Sequence, residues 1–419
     1  MELKKYKLGD LAQVTRGASL SGEYYATQGN YIRLTCGNFD YRNNCFKENQ
    51  SKNNIYYTGG FKEEFLLERG DIITPLTEQA IGLLGSTARI PESGKYIQSQ
   101  DIAKIDCNES LLDKDFAFYL ISSACVKKQL SAAAQQTKIR HTSPDKIKEC
   151  TVWIPSLDVQ KRIGRILTDI DNKIAINRQI NDNLEEQLRL ITSHYIICSP
   201  NLEKKRIGEI AMVKAGGDCP ITFSKTRTQE CNIPIFSNGT EDRGLYGFTD
   251  KATIEEHSIT VAARGTIGYS ERRLKPFVPI IRLLAITPKD EGAYIYLHQV
   301  IKGMKFKKNG SVQQQLTVPE ISFIEIPYPH SSVLSEYNKV ASPIVEMIEH
   351  NISENELLTK LRDELLPLLM NGQASVNYHL SVLFITKIML YYKETNINFR
   401  YERNNNTKRF RWNESGSVC

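Results

Sequence analysis

Side chains suited to contacting the edges of DNA bases occur in loops of both halves of the sequence. Arginine can form two hydrogen bonds to guanine, asparagine or glutamine can form two to adenine, and serine or threonine can contact either base. For any single residue the alternative is an ordinary solvated loop, because loops are polar in most proteins. The candidates in the first half are Arg16, Ser19, Asn38, Arg42, Gln79, Gln135, Gln136, Lys138 and Arg140, and those in the second half are Lys214, Asn238, Arg264, Thr266, Ser311, Gln313, Gln314 and Gln315.

The elements that carry these loops are duplicated within the chain. Three sequence markers occur twice, in the same order, and most of the candidate loops lie beside one of them. An ordered series of markers is the signature of an internal repeat, whereas a single match would be weak evidence. The marker pairs are Lys7–Gly17 with Arg206–Gly216, Asp71–Gly82 with Ser258–Gly268, and Thr142–Asp145 with Thr317–Glu320.

A long heptad pattern follows each copy. The first seam runs from Ile170 to Tyr195 and the second from Ile344 to Leu365, and both contain two asparagines in the same order. For one such helix alone, packing on its own domain is the simpler interpretation. An asparagine opposite an apolar residue would leave its amide unpaired, whereas two facing asparagines satisfy each other. We therefore predict an antiparallel helix pair whose register is set by Asn177 and Asn181 lying near Asn351 and Asn355.

Length and composition indicate a globular protein with several domains. The chain has 419 residues, of which 41% are hydrophobic and 24% are charged. Its formal charge of +6 comprises +4 in residues 377–419 (seven Lys and Arg minus three Asp and Glu) and therefore +2 in the remainder. This modest charge does not by itself identify a nucleic-acid-binding protein.

The predicted fold is α+β, with two duplicated mixed α/β domains separated by a long antiparallel two-helix coiled coil and related by an approximate twofold. The expected domains are 1–155 and 200–328, the central helix is 156–199 and the C-terminal helix is 329–372. Residues 373–419 form a basic tail that we expect to be poorly ordered.

Sequence motifs for catalysis or metal binding are missing. There is no phosphate-binding GxxxxGK[ST], no HExxH and no methyltransferase motif, and the nine cysteines include no CxxC pair. We therefore predict no catalytic residue, no metal site and no cofactor bound by this chain, and we expect reduced thiols in the cytoplasm. Two alternatives stay open: a coiled-coil scaffold that binds proteins, and a cryptic nuclease suggested by Pro144-Asp145 and Glu203-Lys204-Lys205.

Over residues 1–372 the sequence resembles the specificity subunit of type I restriction–modification systems. The resemblance rests on the two opening motifs, on Ile170-Asp-Asn-Lys-Ile174 in the first long helix, and on the closing segment Leu361–Gly372. The tail from Gln373 departs from that family's usual ending.

The resemblance implies a non-catalytic DNA reader. In such a subunit each target-recognition domain reads half of an asymmetric, split site on double-stranded DNA, and the helix pair sets the gap. The partners it implies are two modification (methyltransferase) subunits and the restriction subunits, which are ATP-dependent translocases and nucleases. S-adenosylmethionine, ATP and magnesium would bind to those partners, and no membrane is involved.

Overall fold

The chain folds into two compact units in the computed structural model, which describes residues 2–41, 43–49, 53–78, 82–133, 140–198, 202–306 and 315–373. The first unit comprises Met1–Ile174 together with Glu356–Cys419, and the second comprises Ala175–Asn355. Each long helix therefore contributes to both units. Among the described residues no helix combines the length and apolar character needed to cross a bilayer.

Among the described residues, the first unit contains short strands and four short α-helices, followed by the start of a long helix. Its helices are α1 (Leu8–Leu11), α2 (Lys114–Ile121), α3 (Ala124–Ala133), α4 (Pro144–Lys148) and the long α5 (Leu157–Cys198), and its strands are β1 (Lys4–Lys7), β2 (Ala12–Arg16), β3 (Tyr25–Ala26), β4 (Tyr31–Arg33), β5 (Phe39–Asp40), β6 (Cys45–Phe46), β7 (Tyr56–Tyr57), β8 (Ile72–Pro75), β9 (Thr77–Glu78), β10 (Ala88–Arg89), β11 (Tyr96–Ile97), β12 (Ile102–Cys107), β13 (Arg140–His141) and β14 (Thr151–Ile154).

The second unit repeats most of these elements and contains most of the second long helix. Its helices are α6 (Ile207–Ile210), α7 (Tyr294–Lys302), α8 (Val318–Ser322) and the long α9 (Ser331–Met370), and its strands are β15 (Glu203–Arg206), β16 (Ala211–Ala215), β17 (Ile233–Phe236), β18 (Leu245–Thr249), β19 (Ser258–Val261), β20 (Ser270–Arg273), β21 (Val278–Pro279), β22 (Leu284–Pro288) and β23 (Glu325–Tyr328).

The duplication predicted from sequence is present in the sheets. The strand order β10-β8-β12-β2 of the first domain matches β20-β19-β22-β16 of the second, and the pair β1-β14 matches β15-β23. The central strands β8 and β19 are buried at all four residues, which explains why both read as apolar runs in the sequence. The α+β class with two duplicated mixed domains and two long helices is confirmed.

The long helices pack antiparallel within each unit. In the first unit Ile170 and Ile174 of α5 form a buried cluster with Leu358 of α9. In the second unit Leu188 of α5 joins the same core as Tyr337 of α9. Later positions of α5 therefore meet earlier positions of α9. Helix α9 ends at Met370, and Gly372 follows with a left-handed φ of 71°.

Candidate nucleic-acid interface

One cluster of loop side chains in the first domain forms where β9 pairs with β13. The backbone amide of Thr142 donates to the carbonyl of Leu76, and His141 lies opposite Thr77 in the ladder. The Thr77 hydroxyl lies 3.3 Å from His141 Nδ1 and donates to Asp101 Oδ1 at 3.4 Å. Asp101 and His141 are exposed, whereas Thr77 is buried. The cluster therefore presents a carboxylate and an imidazole to solvent.

The corresponding cluster in the second domain has different chemistry. Here the amide of Leu316 donates to the carbonyl of Ala263, as Thr142 does to Leu76. Arg264 donates from Nη2 to Gln315 Oε1 at 2.7 Å, and Arg282 Nη1 donates to the same oxygen at 3.5 Å. Both arginines are exposed. Two guanidinium groups from separate loops thus converge on one amide oxygen.

Asn238 holds the backbone on both sides of this second cluster. Its Nδ2 donates to the carbonyl of Ile281, and its Oδ1 accepts from the amide of Ala263, each at 2.7 Å. Because the nitrogen and the oxygen of the side-chain amide both bond to backbone, this geometry does not support the expectation that Asn238 contacts a base. The side chain instead positions the residues before Arg264 and Arg282.

Two first-domain candidates are also engaged within the protein. Asn38 is buried, and its side chain accepts from the amide of Thr35 and donates to the carbonyl of Lys47. Arg140 donates to the buried carboxylate of Glu78 at 3.3 Å. Both side chains are therefore already engaged within the protein, and their contact with DNA stays a prediction.

The remaining candidates are either exposed or outside the described residues. Arg16, Ser19, Lys214 and Thr266 are exposed, and Gln315 is half-buried beside Arg264. Contacts of these side chains with DNA stay a prediction. The candidates outside the described residues are Arg42, Gln79, Gln135, Gln136, Lys138, Ser311, Gln313 and Gln314.

Sequence reasoning missed Asp101 and Arg282. Asp101 directly precedes Ile102, whose carbonyl accepts a hydrogen bond from Gly17 at the end of the first opening motif. Arg282 directly precedes Leu283, whose carbonyl accepts from Gly216 at the end of the second. The repeated glycine and the apolar strand after each residue were the available signals. The two side chains themselves share no chemistry, so comparing the repeats for similarity passed over them.

The four asparagines of the helix seam lie together. Asn177 Nδ2 donates to Asn355 Oδ1 at 2.9 Å, and Asn351 Nδ2 donates to Asn181 Oδ1 at 2.8 Å. Asn177 and Asn351 are buried. The facing arrangement gives both of these amide nitrogens an acceptor that an apolar partner would not supply, whereas Asn177 Oδ1 is buried without a hydrogen-bond partner among the described residues. That these contacts set the register is still a prediction.

A charged network that the sequence did not reveal joins the second domain to the helices. Glu185 of α5 accepts from Arg272 of β20 and, at 2.8 Å, from Lys302 of α7. Arg243 donates to Glu271 and to Glu349 of α9. Burial alone would raise the pKa of Glu185, but the adjacent Arg272 and Lys302 outweigh it and lower that pKa to about 2. Glu185 is therefore a carboxylate at neutral pH.

In the first unit a smaller network plays the same part. Asp171 of α5 accepts from the Tyr119 hydroxyl of α2 at 2.6 Å and from Arg362 of α9 at 2.9 Å. Burial and the neighbouring Asp171 carboxylate raise the pKa of Tyr119 above its usual range, so the phenol stays protonated and donates.

Among the residues described, no group of three or more His, Cys, Asp or Glu side chains could hold a metal ion.

Comparison with known proteins identifies relatives along most of the chain. The family described as type I restriction modification DNA specificity domain matches residues 1–186 and 200–365. A putative type I specificity subunit of Mycoplasma pneumoniae is 23% identical over 82% of this chain and 90% of its own length. The HindI specificity subunit of Haemophilus influenzae is 22% identical over 88% of this chain and 99% of its own length.

A solved structure shows a similar fold. The S subunit of a type I restriction–modification system from M. genitalium superposes with a TM-score of 0.55 at 19% sequence identity, covering 88% of this chain and 96% of that chain. At this level of identity the likeness extends to the fold and not to individual side chains.

Proposed function

Because the chain belongs to the family of type I restriction–modification DNA specificity domains, we propose that it reads a two-part, asymmetric sequence on double-stranded DNA. The observation that carries the proposal is one scaffold used twice with different side chains at the loop positions. Matching sheets supply two readers of the same build, whereas Thr77 and His141 differ chemically from Arg264 and Gln315. Two different readers require two different half-sites, so the site is not a palindrome.

The helix pair supports the second part of the proposal, in which the chain sets the gap between the half-sites. Each reader is tied to the helices by charged contacts in its own unit, through Asp171 in the first and Glu185 in the second. Helices have a fixed rise of about 1.5 Å per residue. The number of residues between the two attachments then determines the number of unread base pairs.

The chain is proposed to act without catalysis of its own, as the DNA-reading platform for other subunits in the cytoplasm. Modification subunits would bring S-adenosylmethionine, and restriction subunits would bring ATP and magnesium. A platform needs a surface for its partners. Five apolar side chains on the helices of the second unit are 40–53% exposed: Ile176, Ile180, Leu190, Val340 and Met347.

These five side chains lie on one side of the helix pair. A seam position directly follows Ile176, Ile180, Leu190 and Met347, and Val340 directly precedes Ala341, a buried residue that continues the second seam three residues before Ile344. In contrast, Glu185 and Glu349 directly follow a seam position and contact the second domain. In an antiparallel pair, the positions that precede the seam on both helices face the same side. The apolar row therefore lies opposite the side covered by the domain, which suits an apolar helix of a modification subunit.

The proposal is tested by producing the full chain together with its modification subunit in cells that lack other adenine methylation. We expect the two to copurify and genomic adenine methylation to appear at a split, non-palindromic motif. Ile180→Glu and Met347→Glu should weaken copurification, whereas Arg178→Glu, at an exposed position that directly follows the seam on the same helix, should not. A complex that methylates no defined motif, or metal-dependent cleavage by the chain alone, would contradict the proposal and favour a protein scaffold or a nuclease.

A further inference from the structure

We propose that a matched group of three side chains in each domain determines sequence specificity, and that the group in the second domain reads a guanine. The second-domain group is Arg264, Arg282 and Gln315, and the first-domain group is Thr77, Asp101 and His141. This inference rests on the proposed function, because it assigns the bases read by a DNA-binding chain. It adds two residues, Asp101 and Arg282, that no sequence motif indicates.

The backbone establishes that the two groups occupy equivalent positions. Strand β12 pairs with β8 and β2 in the register that β22 uses with β19 and β16. Ala103 of β12 and Leu284 of β22 correspond in these ladders, which makes Asp101 equivalent to Arg282. The same ladders make Thr74 equivalent to Val261 and therefore Thr77 equivalent to Arg264.

The third position follows from the helices α4 and α8. Ser143 caps α4 and Thr317 caps α8, each through a hydroxyl that accepts an amide hydrogen bond. The residues two positions before the caps are His141 and Gln315. In each domain one side chain of the group also contacts the other two, since Thr77 reaches Asp101 and His141, and Gln315 reaches both arginines.

The second-domain group carries concentrated positive charge. Arg264 and Arg282 both donate to the neutral amide of Gln315, and within the described ranges of the chain neither forms an ion pair. Two guanidinium groups that share one amide oxygen repel each other, and a ligand that offers further acceptors removes this cost. In the major groove guanine offers O6 and N7, the acceptor pair that an arginine fork matches with two hydrogen bonds.

The backbone beneath this group is set before any ligand binds. Ile281 and Arg282 have left-handed φ values of 53° and 60°, and such values are unfavourable for a branched residue such as isoleucine. The turn is held because Ile281 donates to the carbonyl of Gly217 and accepts from the side chain of Asn238. Strain that the surroundings hold in place is typical of a site whose side chain must point in one direction.

The first-domain group has the opposite preference. Asp101 can only accept hydrogen bonds when ionised, and it is exposed next to the Thr77 hydroxyl. A carboxylate would be repelled by phosphates, but it can accept from an exocyclic amino group in the major groove. Cytosine N4 and adenine N6 both supply this chemistry, and the selected sequence distinguishes them.

The test uses the complex of the full chain with its modification subunit and a library of randomised DNA duplexes. Sequencing of the bound fraction gives both half-sites for the unmodified chain and for Arg264→Ala, Arg282→Ala, Arg282→Lys and Asp101→Asn. We expect each arginine→Ala variant to lose the preference for one guanine in one half-site by about 5- to 150-fold. Asp101→Asn should change only the other half-site, at a position occupied by cytosine or adenine.

Two variants separate base reading from general attraction and from misfolding. Arg282→Lys keeps the charge but loses the planar fork, so it should relax the guanine preference while binding mixed DNA almost as tightly. Arg227→Ala removes an exposed arginine of the same domain and should leave both selected sequences unchanged. Thermal unfolding midpoints equal to that of the unmodified chain show that the variants fold.

The outcomes distinguish this inference from the proposed function. Loss of one guanine preference in one half-site supports it. Uniformly weaker binding with unchanged sequences makes the arginines phosphate contacts and overturns the inference while leaving the function intact. Unchanged binding overturns it equally. An unmodified complex that selects no sequence would overturn the proposed function and the inference together.

Discussion

Asn238 is a positioning residue for the two arginines that we propose to read a base. Its two 2.7 Å hydrogen bonds tie the Ile281 carbonyl to the Ala263 amide. Removing the amide frees two adjacent loops, each of which carries one of the proposed arginines. The consequence should be less well-fixed positions of Arg264 and Arg282, and not the loss of a contact between Asn238 and DNA.

We therefore expect Asn238→Ala to weaken the guanine preference of one half-site by about 5- to 10-fold, corresponding to about 1–1.4 kcal/mol. Asn238→Asp should give an intermediate loss, because its carboxylate still accepts from Ala263 but cannot donate to Ile281. Selection from randomised duplexes measures both effects. Asn232→Ala, at an exposed position nearby, is the control, and a purely structural role would lower the unfolding midpoint without changing the selected base.

Residue types alone identified suitable chemistry but not which side chains are available. Asn38 and Asn238 have the same amide as a base-reading asparagine, yet both are used by neighbouring backbone. Arg140 is tied to Glu78 across a strand pair that only the fold creates. These outcomes depend on contacts between residues distant in sequence, and a loop motif contains no information about them.

The repeated markers predicted the duplicated domains, and the two heptad patterns predicted the long helices. The third marker pair, however, aligned Thr142 with Thr317, whereas the structure makes Ser143 the equivalent of Thr317. Ser143 with Pro144 behind it caps α4, whereas Thr317 is separated from Pro319 by Val318 before α8 continues. Proline is accepted in either of the first two helical positions, so the Pro in the shared motif does not fix the cap.

The contacts between the helices and the domains decide whether each reader is held rigidly. Glu185 on α5 is the shared acceptor of Arg272 and Lys302, and Arg272 is 4% exposed. Without the carboxylate, the buried guanidinium would keep only part of its pairing, through Glu349 at 3.7 Å. A buried charge with incomplete pairing is destabilising.

We expect Glu185→Gln to lower the free energy of unfolding at pH 7 by about 2 kcal/mol. The ordinary pKa of 4.5 falls to about 2 in the folded chain, so the unfolded chain takes up the proton first as the pH decreases. The stabilisation is therefore complete above about pH 5 and is lost between pH 4.5 and 2. Glu185→Gln should not show this part of the decrease in the free energy of unfolding as the pH falls.

Urea unfolding at pH 7 and at pH 3, monitored by the fluorescence of the whole chain, measures the difference in the free energy of unfolding between the variant and the unmodified chain. Glu186→Gln is the matched control, because Glu186 is exposed and, among the described residues, its ion pair is with Arg189 three residues away. It should leave the transition almost unchanged at both pH values. An equal effect of the two substitutions would show that the network around Glu185 contributes little.

The sequence predicts two recognition domains and two long helices, and the structure adds how the chain divides into compact units. The boundary between the compact units crosses α5 after Ile174 and α9 after Asn355. It does not lie in a loop, where a composition change or a run of glycine would have marked it. A boundary inside continuous helices cannot be found from a heptad pattern, because the seam continues through it unchanged.

The helix pair that we propose to set the gap can be lengthened without disrupting its seam. Duplicating Ala175–Asn181 in α5 and Asn351–Leu357 in α9 adds one heptad to each helix, and it keeps every inserted asparagine opposite another, as in the contacts of Asn177 with Asn355 and Asn181 with Asn351. Seven residues add about 10.5 Å, which corresponds to about three base pairs of DNA. Both half-sites should be retained while the unread gap grows by that amount.

The gap is read from the adenine methylation motif of cells that produce the lengthened chain with its modification subunit. A matched variant with the heptad inserted in α5 alone should lose methylation, because it shifts the seam of one helix against the other and leaves one pair of asparagines facing apolar seam positions of α9. An unchanged gap in the doubly lengthened chain would mean that something other than the helices sets the spacing. Altered half-sites would mean that the helices also determine which bases each domain reaches.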